Sequence, residues 1–137
     1  MNRMNKDELL ELLSTLKLDR EDFTILSSCA LVLRDIYEDA GDLDIAVTEN
    51  GLNCLKQNYK LIPKQNGWYI VNDKIEFVQD DMKSRRTLVG EYYLQDIYDY
   101  LKYLKSSGRE KDKLRIPLVE MYINRNNIYR QKTIKRN

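Results

Sequence analysis

Five leucines near the start of the chain, Leu9, Leu10, Leu12, Leu13 and Leu16, recur at helical spacing. They mark one stripe of an amphipathic N-terminal helix over 5–17, with Asp7 and Glu8 in its first turn, where negative charge is favoured. A polar connection at 19–22 leads to a short strand at 23–27. Ser28 then opens an apolar run to residue 36 that reads as a helix with a serine N-cap. Residues 37–41 read as a loop. From 42 to 47 the period changes to two: Asp42, Asp44 and Ala46 fall on one face, Leu43, Ile45 and Val47 on the other. Thr48 is placed to cap a helix running to about 58, with Leu52 and Leu55 on its buried side.

Beyond residue 58 the elements shorten. Residues 59–62 read as a strand ended by Pro63, 64–67 as a turn, and 68–71 with 74–79 as a hairpin about Asn72-Asp73. In the return strand Ile75 and Phe77 share one face, and Lys74, Glu76 and Val78 the other. Residues 80–86 read as a polar loop and 87–93 as another short strand. Tyr93, Ile97, Tyr100, Leu101 and Leu104 recur at helical spacing, so 94–106 reads as a helix closed by Gly108. Pro117 stands inside the last apolar-periodic stretch. Because proline breaks helix interiors, a short turn or kink is expected there, with a cleaner helix from Ile116 onward. No linker or repeat interrupts the chain. The pattern predicts one α/β (α+β) domain over 1–137, a mixed β-sheet flanked by helices, ending in a basic tail at 125–137.

Composition narrows the chemistry. The chain is 42% hydrophobic and 33% charged with a net charge of +1, so nothing implies bulk attraction to nucleic acid or membrane. It has no apolar run of membrane-spanning length, which points to a cytoplasmic protein. There is no histidine, so imidazole can neither catalyse nor ligate a metal. Cys29 and Cys54, both in apolar surroundings, read as reduced core thiols. Ten tyrosines stand against two phenylalanines. Several of them lie in 91–103 and read as a helix face packed on the core with phenol tips toward solvent, a base-stacking platform being the alternative. The tail bears Arg125, Arg130, Lys132, Lys135 and Arg136 without an acid. It is either a solvated terminus or a patch for RNA or DNA phosphates.

The chemistry therefore falls to carboxylates. Asp42 and Asp44 share a strand face and repel, so they need a cation or a shared proton. Their hard oxygens suit Mg²⁺, commonly held by one or two carboxylates together with substrate phosphates. Gly41 allows a sharp entry to the strand. Glu76 lies on the polar face of its own strand. If the two strands are neighbours, three carboxylates converge. Otherwise all three acids are solvent-facing side chains of a half-exposed sheet.

The order of elements, with Ser27-Ser28, Asp42-Leu43-Asp44 and Ile75-Glu76-Phe77 in place, resembles the minimal nucleotidyltransferase family of the DNA polymerase β-like superfamily, in its abortive-infection toxin-like branch. Leu26 to Leu33 is similar to that family's strand-to-helix motif, G-[GS]-x-A-L. Asp42 and Asp44 match its D-x-D and Glu76 its third acid. Gly108-Arg109-Glu110-Lys111-Asp112 resembles an R-x-K-D turn. The resemblance spans about 23–123. It implies that Asp42, Asp44 and Glu76 hold two Mg²⁺ ions and that Glu76 also helps activate an incoming hydroxyl. It further implies that Ser27 and Ser28, at a helix entrance, face the triphosphate, and that Lys111, or Arg85 and Arg86, neutralises phosphate charge. The implied reaction moves a nucleoside monophosphate from a nucleoside triphosphate, such as ATP, to a hydroxyl of RNA (a tRNA end), of a protein or of a small molecule. A protein partner such as an antitoxin is also implied. Ser27 departs from the family's glycine, and a serine there narrows the approach of backbone to phosphate.

Other metal-dependent classes fit less well. A D…E-x-K nuclease wants lysine where Val78 stands, and neither G-x-G-x-x-G nor a Walker A loop is present. The rival reading is a non-catalytic nucleotidyltransferase-like module kept for binding or interaction.

Overall fold

The computed structural model describes residues 3–135, with the side chains of residue 84 and of 128–135 outside the description. The protein is α+β. Its contacts divide it into two compact units, Met1–Gln95 and Asp96–Asn137.

The first unit is built on a mixed seven-stranded sheet. The chain enters through β1 (Met4–Asn5) and α1 (Lys6–Thr15). Asn5 caps α1 with a capping box: its side chain accepts from the Glu8 N–H, and the Glu8 carboxylate accepts from the Asn5 N–H. A 3₁₀ turn at Arg20–Asp22 precedes β2 (Phe23–Ile25) and α2 (Ser27–Leu33). The expected loop at 37–41 contains β3 (Asp39–Ala40), which pairs with β1. Two-residue strands of this kind leave no periodic signature. Then come β4 (Leu43–Val47), α3 (Glu49–Asn58), β5 (Ile62–Pro63), β6 (Trp68–Ile70), β7 (Ile75–Gln79), β8 (Arg86–Val89) and β9 (Tyr92–Gln95). The strand order is β5-β6-β7-β4-β2-β9-β8, so β4 is central with β7 parallel beside it.

Leu43, Ile45 and Val47 of β4 point into the core with Ile75, Phe77, Phe23, Ile25 and Leu94. Helices α1, α2 and α3 add Leu9, Leu13, Cys29, Val32 and Leu55 to the same cluster. This apolar face fixes the register. Sliding β4 by one residue would bury Asp44 and expose Ile45. Helix α3 docks closely: a Cβ on Gly51 would lie 2.9 Å from the Asp22 carbonyl oxygen. Thr48 caps it as expected, accepting from the Gly51 N–H and donating to the Asp22 carboxylate. Serine does not cap α2. The N-cap is Leu26, without a side-chain bond, and Ser27 is already inside the helix.

In the first unit Tyr93 lies on a strand, as expected, and Leu94 and Gln95 continue that strand, β9, where the helix was expected to begin. The Arg86 guanidinium stacks 3.7 Å from the Tyr93 ring centroid, and both side chains bind Glu21. Cross-strand packing here overrides a helical period that is real only from Ile97 onward.

The second unit is a helical pair, α4 (Ile97–Ser107) and α5 (Glu110–Lys135), joined through Gly108 in the left-handed region (φ 74°). Helix α5 passes through Pro117 without the expected break. About two helical turns before the proline and five after it keep the segment helical despite one missing N–H. Asp112 is fully buried at the turn and receives Ser107 and Arg109. Most of the basic tail lies outside the described side chains; of its bases, Arg125 is exposed on α5. Among the described residues no helix is long and apolar enough to cross a membrane.

Candidate active site

Asp44 and Glu76 stand directly opposite each other in the parallel β4–β7 register. Neighbouring strands run ~4.8 Å apart and paired residues point the same way, so the two carboxylates are side by side on the face away from the core. Both are partly exposed. Asp42 lies one residue before β4 begins and is exposed. Its carbonyl accepts the Cys29 thiol at 3.1 Å, which ties α2 to the entrance of β4. Burial, then the Asp44 charge, pushes that thiol up to about 12, so Cys29 stays protonated and serves packing.

Asp44 and Glu76 open into a cleft of about 530 Å³, lined also by Lys64, Gln65, Asn66 and Trp68. The last four come from the β5–β6 hairpin. The hairpin turns at 65–67 with Asn66 and Gly67 in the left-handed region. Lys64 donates to Glu76 Oε1 at 2.8 Å. That hydrogen bond raises the lysine above its ordinary value, and the Glu76, Asp44 and Asp42 charges add to it against a loss of hydration. The Lys64 ammonium thus feels all three acids. It is the counter-ion of Glu76, in direct contact with its carboxylate.

The donor set is hard oxygen throughout, and Asp44 with Glu76 gives the two carboxylates a Mg²⁺ ion commonly takes from protein. Among the described residues, however, no group of three or more His, Cys, Asp or Glu is gathered closely enough to hold a metal ion. The expected triad is therefore not preassembled. Two acids share a strand row, and the third stands at the end of its strand.

The other expected residues are placed differently. Ser27 has φ 53°, the left-handed region that glycine occupies freely. Its N–H is not open to a ligand but donates to the Gln95 side chain at 3.2 Å. Gln95 is held in turn by Arg34, which donates to its carbonyl. Ser28 is partly exposed in the first turn of α2. Arg86 cannot serve phosphate. Its side chain is 5% exposed and is spent on Glu21 and the Phe23 carbonyl. Lys111 is exposed in the second unit, on the first turn of α5. Its neighbours in the R-x-K-D stretch, Arg109 and Asp112, bind each other and close the α4–α5 turn.

Sequence reasoning passed over Lys64 and Trp68. Lys64 follows a proline in a turn and carries no motif. Only the pairing of β5 with β6, and of β6 with β7, brings its ammonium to Glu76.

No protein-family model matches the chain, and no curated protein matches it.

Proposed function

We propose that this protein is a metal-dependent nucleotidyltransferase, moving a nucleoside monophosphate from a nucleoside triphosphate to a hydroxyl acceptor. The observation that carries the reading is the Asp44–Glu76 pair, in register on neighbouring parallel strands and open to a cleft. Asp44 and Glu76, with Asp42 at the strand entrance, are the residues to hold Mg²⁺. When bound, the metal supplies charge neutralisation and Lewis acidity at the phosphates. Lys64, released from Glu76, offers an ammonium to the triphosphate from the cleft wall. Glu76, released from Lys64, can accept the proton of the attacking hydroxyl. A bond forms between that hydroxyl oxygen and the α-phosphorus, the α–β bridging bond breaks, and pyrophosphate leaves. The acceptor, whether RNA, protein or small molecule, is open to experiment, as is a protein partner.

The test is transfer of label from α-labelled nucleoside triphosphates to total RNA, total protein and small-molecule acceptors. Transfer by the wild type that Asp44→Asn abolishes, with its circular dichroism unchanged, supports the enzyme. Absence of transfer to every acceptor refutes it. A second reading, a non-catalytic binding module, is favoured by two contacts: Lys64 on Glu76, and Gln95 on the Ser27 N–H. Both fill positions a triphosphate and its metal need. Calorimetry with Mg²⁺ and each triphosphate separates the two, since a module with these contacts fixed binds neither.

A further inference from the structure

The cleft has two chemically different ends. Along β6 and β7, Ile70 stands opposite Glu76 and Trp68 opposite Val78. Trp68 is therefore one pleat from the acid row, ~7 Å along the strand, and on the same face. It is half-buried and lines the cleft with its indole. The two neighbouring lining residues, Gln65 and Asn66, are exposed carboxamides on the rim. Each carboxamide offers both a donor and an acceptor. Tyr69, between Trp68 and Ile70, turns the other way and stacks on Phe77, half-buried against the core. Among the strand residues Trp68 to Ile70, the chain therefore places one aromatic ring against the core and leaves a larger one facing the cleft.

With Mg²⁺ on the acid row, as the nucleotidyl-transfer reading has it, a ligand suited to this cleft is polyanionic at one end and flat, aromatic and edge-polar at the other, separated by about the length of a sugar. We propose that Trp68 is the stacking platform for the base of the bound nucleotide, with Gln65 and Asn66 contacting its edge. This rests on the nucleotidyl-transfer reading of the same cleft and assigns its base-recognition wall to the β5–β6 hairpin. Stacking on an aromatic ring tolerates every base, because each has a π-face. Discrimination between bases then falls to the two carboxamides.

The chain has a single tryptophan, so its fluorescence reports on this position alone. The wild type is titrated in Mg²⁺ with α,β-methylene ATP and, separately, with inorganic tripolyphosphate, by fluorescence and by calorimetry. The nucleotide should quench the emission and bind more tightly than tripolyphosphate, which should bind without quenching. Trp68→Ala should weaken the nucleotide roughly tenfold or more and leave tripolyphosphate unchanged, and Trp68→Phe should keep most of the affinity. Equal nucleotide affinity in wild type and Trp68→Ala, or a wild type that binds tripolyphosphate as tightly as the nucleotide, overturns the assignment of Trp68 and leaves nucleotidyl transfer standing. A wild type that binds neither probe overturns both. Should Trp68→Ala fail to fold, the wild-type comparison of the two probes and the Trp68→Phe titration still decide.

Discussion

Replacing Ser27 by glycine should stabilise the protein. At φ 53° the serine Cβ sits against backbone in the left-handed region, a strain of about 1–2 kcal/mol for a residue with a side chain. Glycine escapes that strain but loses more backbone freedom on folding, about 0.4–1 kcal/mol. The Ser27 N–H bond to Gln95 belongs to the backbone and survives the change. The balance favours glycine by about 0.5–1 kcal/mol, equivalent to a rise of roughly 2–5 °C in the melting midpoint. Thermal and urea unfolding of wild type, Ser27→Gly and Ser27→Ala, followed by circular dichroism, measure it. Alanine keeps the Cβ and should show no gain. A glycine variant that melts below the wild type refutes the left-handed assignment, because glycine is penalised at extended or helical positions. The same pair of proteins also tests whether the serine side chain narrows the site. Gln95, rather than the hydroxyl, covers the N–H, so Mg²⁺–triphosphate affinity should not change. Marked tightening in Ser27→Gly would show that the side chain itself obstructs the site.

Lys64→Met should increase the affinity of the carboxylates for Mn²⁺, used as a paramagnetic probe for Mg²⁺, several-fold, because the internal counter-ion competes with an added cation. Stability should change little, since both partners reach solvent; an unchanged Mn²⁺ titration contradicts the role given to Lys64. At the α4–α5 turn, burial would raise the Asp112 carboxyl, but the hydrogen bonds from Ser107 and Arg109 and the charges of Arg109 and Arg115 outweigh it, and its pKa is lowered. A depressed folded-state pKa gives stability that is complete above the unfolded value, near 3.8, and is lost as pH falls through the folded value. Acid titration should therefore loosen the helical pair below about pH 4. Asp112→Ala should destabilise the helical pair at neutral pH, because Ser107 and Arg109 lose the carboxylate they bind across the turn. It should also flatten the acid limb, as read by helical ellipticity.

What the sequence settled by itself was local. The two-residue period places Leu43, Ile45 and Val47 inward and Asp44 outward, because strand geometry leaves no other option once one face is apolar. Thr48 and Gly108 announce a helix start and a helix end through the hydrogen bond and the backbone angle each residue type supplies. That helices flank a mixed sheet follows from the same alternation and the order of elements; the place of β4 in the middle of the sheet does not. Tertiary structure decided everything that depends on pairing across distance. Glu76 meets Asp44 because the β4–β7 register is set by core packing of Ile45 on Phe77, 32 residues apart in the chain. Lys64 and Trp68 reach the cleft through two further strand pairings that no motif encodes. Arg86, which the resemblance offers with Arg85 as the alternative to Lys111 for phosphate, is buried against Tyr93 and Glu21, since a guanidinium between strands is held by whatever lies beside it. The left-handed angle at Ser27 is likewise invisible in a serine. It falls at the first residue of α2, one residue after Leu26 leads the chain out of β2, and nothing in the residue type announces it.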